Sequence, residues 1–292
     1  MTTGVKAMVL AAITAFVLVT PAFAGKPKQP DESPYQGALD KARTYWTKAI
    51  QPDSEDDPDP MVLYVLGNVT NTLFHELGHA MISELELPVL GKEEDAVDAF
   101  ANVIMVSKDP DPVLDGMIVA VSDDYFTAGK LTDDEPPAWD EHSMNEQRAY
   151  AVVCILVGAD PEGFKETADN AGMPEDRQQG CASEFTKAVN GWDNLLKDHY
   201  LEEGERQTAR ISIKYETPKP ENRKIAGLIK ASGIVEDVVK DLTAMVKLPN
   251  NINVSVESCD EQNAFWSADD RKLTFCYELA QYYLDNALEP AE

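Results

Sequence analysis

Apolar positions recur at helical spacing along most of the chain. The clearest pattern runs over 61–87 and stops at Pro88, with Val62, Val65, Leu66, Val69, Leu73, Leu77, Ala80 and Met81 on one side. The same periodicity predicts further helices over 35–50, 92–106, 112–127, 140–157, 162–171, 178–199, 223–246 and 278–288. The chain is therefore predicted to be mainly α-helical.

A few short segments alternate apolar and polar residues, as strands do. They are 209–215, 252–256 and 272–277, and a turn-like stretch at 267–270 precedes the last of them. These strands predict a small β-ribbon near the C-terminus, added to the helices. The predicted fold class is therefore α+β.

The first 24 residues predict a secretory signal peptide. Lys6 precedes the apolar run 7–19, and Ala22 and Ala24 form an A-x-A-like cleavage site. The run is shorter than the roughly 20 residues of a membrane span, which favours cleavage over an uncleaved anchor. No later segment is apolar for long enough to cross a bilayer. We expect a periplasmic or secreted protein with no stable membrane insertion after cleavage.

Residues 25–60 are predicted to be a peripheral N-terminal helix and an acidic linker, followed by the main domain over 61–292. The linker, 52–60, lacks the Gly and terminal Glu of an EF-hand loop, so a solvated linker is favoured over a calcium site. The net charge of -27 would repel phosphate backbones. Nucleic acid is therefore excluded as an expected partner, whereas basic peptides are compatible with this charge.

The segment His75-Glu76-Leu77-Gly78-His79 supplies the parts of a catalytic zinc site. Residues four apart share a helix face, so His75 and His79 can bind one metal while Glu76 activates a water beside it. The chain has only 4 histidines, so a chance match to this pattern is improbable. Catalytic zinc keeps three protein ligands and an open position for water, so a third ligand is required.

Acidic residues at the start of the next predicted helix are candidates for the third ligand. Glu94 ranks first because Asp98 lies four residues later on the same face, where it can orient a ligand histidine. Glu93 and Asp95 are the rivals. A short turn over 87–91 would fold this helix back across the first one. Acidic residues in a first turn also suit the helix dipole without any metal.

Three residues are candidates for the donor that stabilises the oxyanion of a tetrahedral intermediate. They are His142, ranked first as a catalytic residue, Arg148 and Tyr150, all near a predicted helix that starts at Asp140. The alternative is structural: Asp140 caps the helix, His142 fills its first turn and Arg148 forms an ion pair.

The four cysteines are an even number in a chain predicted to be exported, and none forms a C-x-x-C pair. Disulfides are therefore favoured over a second metal site, and four cysteines allow three pairings. Proximity in sequence favours Cys154 with Cys181 and Cys259 with Cys276.

The zinc motif, followed by Glu94 and Asp98, resembles the gluzincin pattern of thermolysin-like peptidases, His-Glu-x-x-His and then Glu-x-x-x-Asp. That resemblance implies that Glu94 is the third zinc ligand and that Asp98 supports a histidine. Residues 87–96 and 139–148 resemble a bacterial family of metallopeptidases of unknown function, and this resemblance extends over nearly all of the chain after residue 24. It implies a zincin-like fold and a reaction class, but no substrate.

The tetrapeptide Asn263-Ala264-Phe265-Trp266 resembles the edge strand on which thermolysin-like enzymes bind extended peptides. It implies that Asn263 and Ala264 bind substrate. In those enzymes the strand precedes the zinc helix, whereas here it follows, so the resemblance requires a circularly permuted arrangement.

The same segment allows a prediction of strand register. A two-residue loop at 267–268 would pair Trp266 with Asp269, and the same register would set Cys259 opposite Cys276. The hairpin therefore supports the second disulfide independently.

These features predict an exported zinc-dependent metallopeptidase that hydrolyses peptide or protein substrates through zinc-bound water, with Glu76 as general base. The alternative is a non-catalytic peptide-binding or structural protein on the same scaffold. Glu76 argues against that alternative, because a binding module needs no general base. A zinc hydrolase acting on a non-peptide amide is the third hypothesis.

Overall fold

The computed structural model describes residues 33–106, 111–131, 139–202 and 204–289. The predicted signal peptide, residues 1–24, lies outside these ranges. Within them, no helix combines the length and the apolar character needed to cross a membrane.

The described chain is mainly helical, with a small sheet, which confirms the predicted α+β class. The helices are α1 (Gln36–Tyr45), extended by a π-helical segment (Trp46–Ile50), α2 (Asp59–Glu84), α3 (Glu93–Met105), α4 (Pro112–Leu131), α5 (Asn145–Ala159), α6 (Lys165–Asn170), α7 (Glu175–Leu196), α8 (Arg223–Ser232), α9 (Ile234–Met245) and α10 (Tyr277–Leu288). The strands are β1 (Ile211–Tyr215), β2 (Ile252–Glu257), β3 (Ala264–Ser267) and β4 (Lys272–Cys276).

Helix α2, which carries the zinc motif, lies at the centre of the fold. It contacts α1, α3, α4, α9, α10 and the strands β3 and β4. Because neighbours surround it, most of its residues are buried, including polar ones such as Asn68 and Asn71. A helix with few charged residues along its length is typical of one that is buried on nearly every side. The motif is therefore held in a helix that is buried along most of its length.

The N-terminal helix is not peripheral, contrary to the expectation for 25–60. Ala38, Leu39 and Ala42 of α1 are buried in the main hydrophobic core, together with Trp46. A bidentate ion pair between Arg43 and Asp59 then joins α1 to the start of α2. The acidic linker itself is exposed, as predicted.

Most predicted helices differ from the observed ones by a few residues at their ends, and two differ more. The helix predicted over 223–246 is divided into α8 and α9 at Gly233, whose φ of 75° is a left-handed conformation that favours glycine. The helix predicted from Asp140 begins instead at Asn145. The Asp140 side chain accepts a hydrogen bond from the backbone N–H of His142 (2.8 Å), which makes a turn rather than a helix cap.

The strands form one four-stranded sheet in the order β1-β2-β4-β3 rather than a simple ribbon. Strands β1, β2 and β4 are parallel, and α8 and α9 connect β1 to β2, as a parallel crossover requires. Strand β3 is an edge strand, antiparallel to β4, and it packs against α2. The sheet edge thus lies beside the zinc motif.

The predicted register of the β3–β4 hairpin is wrong. Trp266 pairs with Leu273, and Ser267 with Lys272, so the loop has four residues rather than two. The difference arises because Ser267 and Lys272 extend the ladder, and Arg271 takes a positive φ of 47° in the loop.

Both predicted disulfides are nevertheless present, Cys154–Cys181 between α5 and α7, and Cys259–Cys276 beside the sheet. Cys259 precedes β3 and does not lie across the hairpin from Cys276. Instead, Cys276 is the parallel partner of Glu257, at the end of β2. The second pairing was therefore correct, but the register argument for it was not.

Candidate metal centre

The two histidines of the motif lie on one face of α2, and each has a carboxylate at its Nδ1 atom. His75 Nδ1 is 2.8 Å from Asp98 Oδ1, and His79 Nδ1 is 2.7 Å from Glu93 Oε1. A carboxylate only accepts hydrogen bonds, so each Nδ1 is the protonated nitrogen. Both Nε2 atoms are then free to bind a metal, which is the usual arrangement of metal-binding histidines.

Close packing between α2 and α3 brings the acidic residues to the histidines. Gly78 permits this packing, because a Cβ at that position would lie 2.9 Å from Val97 Cγ1. A buried contact that short is not tolerated, so a side chain at residue 78 would move α3 away. From the other side, Trp192 of α7 holds α3 through a hydrogen bond from its Nε1 to the carbonyl of Ala96 (3.1 Å).

Glu94 lies between the imidazoles. Its Oε2 is 3.1 Å from His75 Nε2, and its Oε1 is 3.4 Å from His79 Nε2. Glu94 Oε2 is buried, yet it has no hydrogen-bond partner of normal geometry among the described residues. A buried oxygen without a hydrogen bond of normal geometry, beside imidazole nitrogens that can bind a metal, fits a bound cation. The residues present therefore match the needs of a metal ion.

The charges at this centre are strongly coupled. Burial would lower the pKa of His75, but Asp98 and Glu94 outweigh it and raise that pKa to about 9. Burial would likewise lower the pKa of His79, and Glu94 and Glu93 raise it instead. Burial would raise the pKa of Glu94, whereas the imidazoles of His142, His75 and His79 hold it far below its usual range. The negative charges of the carboxylates thus favour a positive charge at this centre.

Behind His75, an arginine holds the supporting carboxylate. Arg148 Nε is 2.7 Å from Asp98 Oδ2, and a second guanidinium nitrogen is 2.8 Å from Asp98 Oδ1. The guanidinium also stacks on the ring of Tyr125, 4.4 Å from its centroid. Burial alone would raise the pKa of Asp98, but Arg148 and His75 lower it well below its usual range. Asp98 therefore remains ionised and keeps His75 in one orientation.

Glu76 is buried beside the histidines. Burial raises the pKa of this carboxyl group, and the charges of His75 and His79 oppose that shift. Strand β3 packs against α2 here, and the backbone of Trp266 also lowers the pKa of this carboxyl group. The zinc motif and the sheet edge are therefore in direct contact, although about 190 residues separate them along the chain.

Of the three oxyanion-donor candidates, only His142 reaches the centre. His142 Nε2 lies 3.0 Å from Glu94 Oε2. Arg148 is occupied by Asp98, and the Tyr150 hydroxyl donates to the carbonyl of Ala171 (3.0 Å). His75, Glu94 and His142 each offer one possible ligand atom, and these three atoms lie within 4.8 Å of one another.

The two residues expected to bind substrate lie at the start of β3. Asn263 uses its carbonyl to accept a hydrogen bond from Cys276 N–H (3.0 Å), on the β4 side. Backbone groups alternate along a strand, so the N–H and carbonyl of Ala264 face the free edge, as does the Trp266 N–H. Ala264 can therefore pair with an added strand, whereas the Asn263 carbonyl is already occupied.

Sequence reasoning missed the parts played by Glu93, Gly78 and the Trp266 backbone. Glu93 was considered only as a rival ligand, yet the rule that a ligand histidine needs a carboxylate partner could have assigned it to His79. Gly78 stands inside the motif, where a glycine in a buried helix indicates close approach of a neighbour. Nothing local predicts the Trp266 contact, because it joins distant parts of the chain.

Comparison with known proteins places the chain in a family. The chain matches, over residues 35–196 and 215–291, the model of a family described as "Putative metallopeptidase". The match covers well over half of the chain, and the chain therefore belongs to this family. No match was found among curated proteins or among solved structures. Membership supports a metal-dependent peptidase, and the histidine–glutamate cluster is compatible with a metal.

Proposed function

We propose that this protein is a zinc-dependent peptidase whose metal is held by His75, His79 and Glu94. The observation that carries the proposal is the arrangement of the two α2 histidines. Each has its Nδ1 on a carboxylate and its Nε2 close to Glu94. Nitrogen and carboxylate ligands on a closely packed helix pair suit zinc. When bound, zinc would supply Lewis acidity to the attacking water and to the scissile carbonyl.

Glu76 is the general base of the proposed reaction. Its buried carboxyl group has a raised pKa, which makes it a better proton acceptor than an exposed glutamate. It takes a proton from the attacking water and passes it to the leaving amine.

His142 is the proposed oxyanion donor. Its Nε2 lies at the centre while its side chain is 47% exposed, so it borders the space that a substrate carbonyl would enter. A hydrogen bond from an imidazole to the developing negative charge stabilises the transition state more than the ground state.

The free edge of β3 is the proposed binding site for an extended peptide. Ala264 presents a backbone N–H and carbonyl to that edge. It lies two residues along β3 from Trp266, whose backbone lies beside Glu76. A peptide added there would pass the general base in a defined register. This arrangement corresponds to a zincin-like active site with the edge strand after the zinc helix, and thus to a circularly permuted order.

Export to the periplasm or the exterior is part of the same proposal. The two disulfides suit an oxidising compartment, and the predicted signal peptide over 1–24 would direct the chain there. An exported peptidase would meet peptide or protein substrates rather than nucleic acid.

The test combines metal analysis with digestion of a peptide library. The mature protein should hold about one zinc per chain and cleave peptides, and Glu76→Gln should retain zinc while hydrolysis falls roughly 100- to 10,000-fold. The amide preserves the shape of the side chain but cannot accept the proton. Undiminished turnover in Glu76→Gln would exclude Glu76 as the general base. The proposed function would be rejected if the native protein held no zinc or cleaved no peptide.

A further inference from the structure

His142 repeats the arrangement of the two helix histidines. Its Nε2 is 3.0 Å from Glu94 Oε2, as close as that of His75 at 3.1 Å. Two ligand atoms of a tetrahedral zinc site lie about 3.3 Å apart when each is about 2.0–2.1 Å from the metal. We propose that His142 is a fourth protein ligand of the metal in the substrate-free protein, through Nε2. This inference rests on the proposed zinc site and adds a ligand to it.

The orientation of the His142 ring supports ligation. Its Nδ1 lies on the side of a carboxylate, Asp140 Oδ1 at 3.6 Å, a longer distance than the hydrogen bonds of 2.8 and 2.7 Å at the Nδ1 atoms of His75 and His79. The ring is nearly parallel to that of His75, with 14° between their planes and 6.3 Å between their centroids. The carboxylate lies on the Nδ1 side, so Nε2 is the ligand atom.

The turn that carries His142 is tied to the start of α3. Lys92 Nζ donates to the carbonyl of His142 (3.1 Å), and Ser143 Oγ donates to Asp95 Oδ1 (2.7 Å). Lys92 and Asp95 flank Glu94 in sequence, so these two contacts hold the turn against the segment that supplies the third ligand. The hydrogen bond to the His142 carbonyl and the hydrogen bond from Ser143 therefore hold His142 close to Glu94.

Among the four ligands, His142 is the one that can leave. The side chains of His75, His79 and Glu94 are 15% exposed or less and lie on α2 and α3, whereas His142 lies on a turn and is 47% exposed. A zinc ion with four protein ligands is closed, and catalysis requires an open position. An entering peptide carbonyl would therefore replace His142, and the released imidazole would remain beside it as the oxyanion donor.

X-ray absorption spectroscopy of the zinc-loaded protein tests this ligand set directly, because it counts the imidazoles bound to the metal. The native protein should show three imidazoles, and His142→Ala should show two. The matched control, His199→Ala, removes a histidine beside the Tyr200–Val246 bridge and should retain three. His142→Asn serves as a second variant if His142→Ala is poorly folded.

Two results would overturn the inference while leaving the proposed function intact. One is a native protein with two imidazoles that His142→Ala does not change. The other concerns displacement of His142 from the metal. Saturation with a peptide hydroxamate should lower the number of bound imidazoles in the native protein from three to two. An unchanged number with the hydroxamate bound would show that His142 is not displaced. If the native protein binds no zinc at all, the proposed function itself is rejected.

Discussion

The candidate metal centre has two sides of different construction. The helical side consists of α2 and α3, and it presents His75, His79 and Glu94 from buried, hydrogen-bonded helices. The open side consists of the turn 139–144 and the edge strand β3. His142 is 47% exposed there, and Trp139 and Phe265 are among the exposed large apolar residues.

This contrast separates two tasks. Metal binding needs ligands that do not move, and the helical side provides them through close packing and carboxylate partners at each Nδ1. Substrate entry needs groups that can exchange or accept a new strand, and such groups are found on turns and sheet edges. Substitutions on the helical side should therefore change metal binding, and those in β3 on the open side should change substrate binding. His142, the proposed displaceable ligand, takes part in both.

The largest effect is expected for His79→Ala on the helical side. Loss of one motif histidine leaves His75 and Glu94 as the only ligands that are 15% exposed or less, together with the displaceable His142, so the purified variant should not retain stoichiometric zinc, as measured by elemental analysis. His199→Ala, outside the centre, should retain it. Stoichiometric zinc in His79→Ala would exclude His79 from the site.

A graded loss is expected for the acidic residues of α3. Glu94→Ala removes the proposed ligand and should weaken zinc binding more than Glu93→Ala, which removes the partner of His79 and should cost roughly 10- to 100-fold in affinity. Competition with a chromogenic chelator measures both. Glu141→Ala, an exposed acid on the turn, is the matched control. The reverse order of the two affinities would move the ligand assignment to Glu93.

A smaller effect is expected when the packing between α2 and α3 is disturbed. Gly78→Ala would place a Cβ 2.9 Å from Val97 and should lower the free energy of unfolding by about 1–3 kcal/mol. Zinc affinity should fall as well, since Glu94 moves with α3. Gly191→Ala in α7 is the control, because its Cβ would meet nothing within 4 Å. Denaturant unfolding and zinc titration that leave Gly78→Ala unchanged would contradict this role of Gly78.

The smallest effect is expected on the open side. Ala264→Pro removes a backbone N–H at the free edge of β3. It should raise KM for peptides about 2- to 10-fold, which corresponds to the net free energy of one hydrogen bond. Zinc content should not change. Gln262→Pro, before the strand, is the control and should have native kinetics. A loss of zinc in Ala264→Pro would show that the two sides are not separable.

Much of the helical side could be predicted from sequence. The spacing of His75 and His79 within one apolar-periodic segment implies a shared helix face, and the i, i+4 relation of Glu94 and Asp98 implies another. Both relations depend only on helical geometry over a few residues. For that reason, the positions of these side chains relative to their own helices needed no knowledge of the rest of the chain.

The open side was less predictable. Residues 140–144 of the turn are predicted to be helical, because a carboxylate such as Asp140 can either cap a helix or form a turn, and only the surrounding contacts favour one of them. The hairpin register was wrong because the alternation of short strands does not determine loop length. The Cys259–Cys276 disulfide nevertheless forms, since residues close in sequence remain close in either register.

The sequence by itself determined the zinc motif, its helix, the acidic helix that follows and the two cysteine pairings, because each depends on local spacing. Only the tertiary structure decided that Glu93 faces His79, that Arg148 is occupied by Asp98, and that the backbone of Trp266 on β3 lies beside Glu76 on α2. These contacts join elements 14 to 190 residues apart. Contacts over such separations follow from how buried surfaces pack together, and no local pattern encodes that packing.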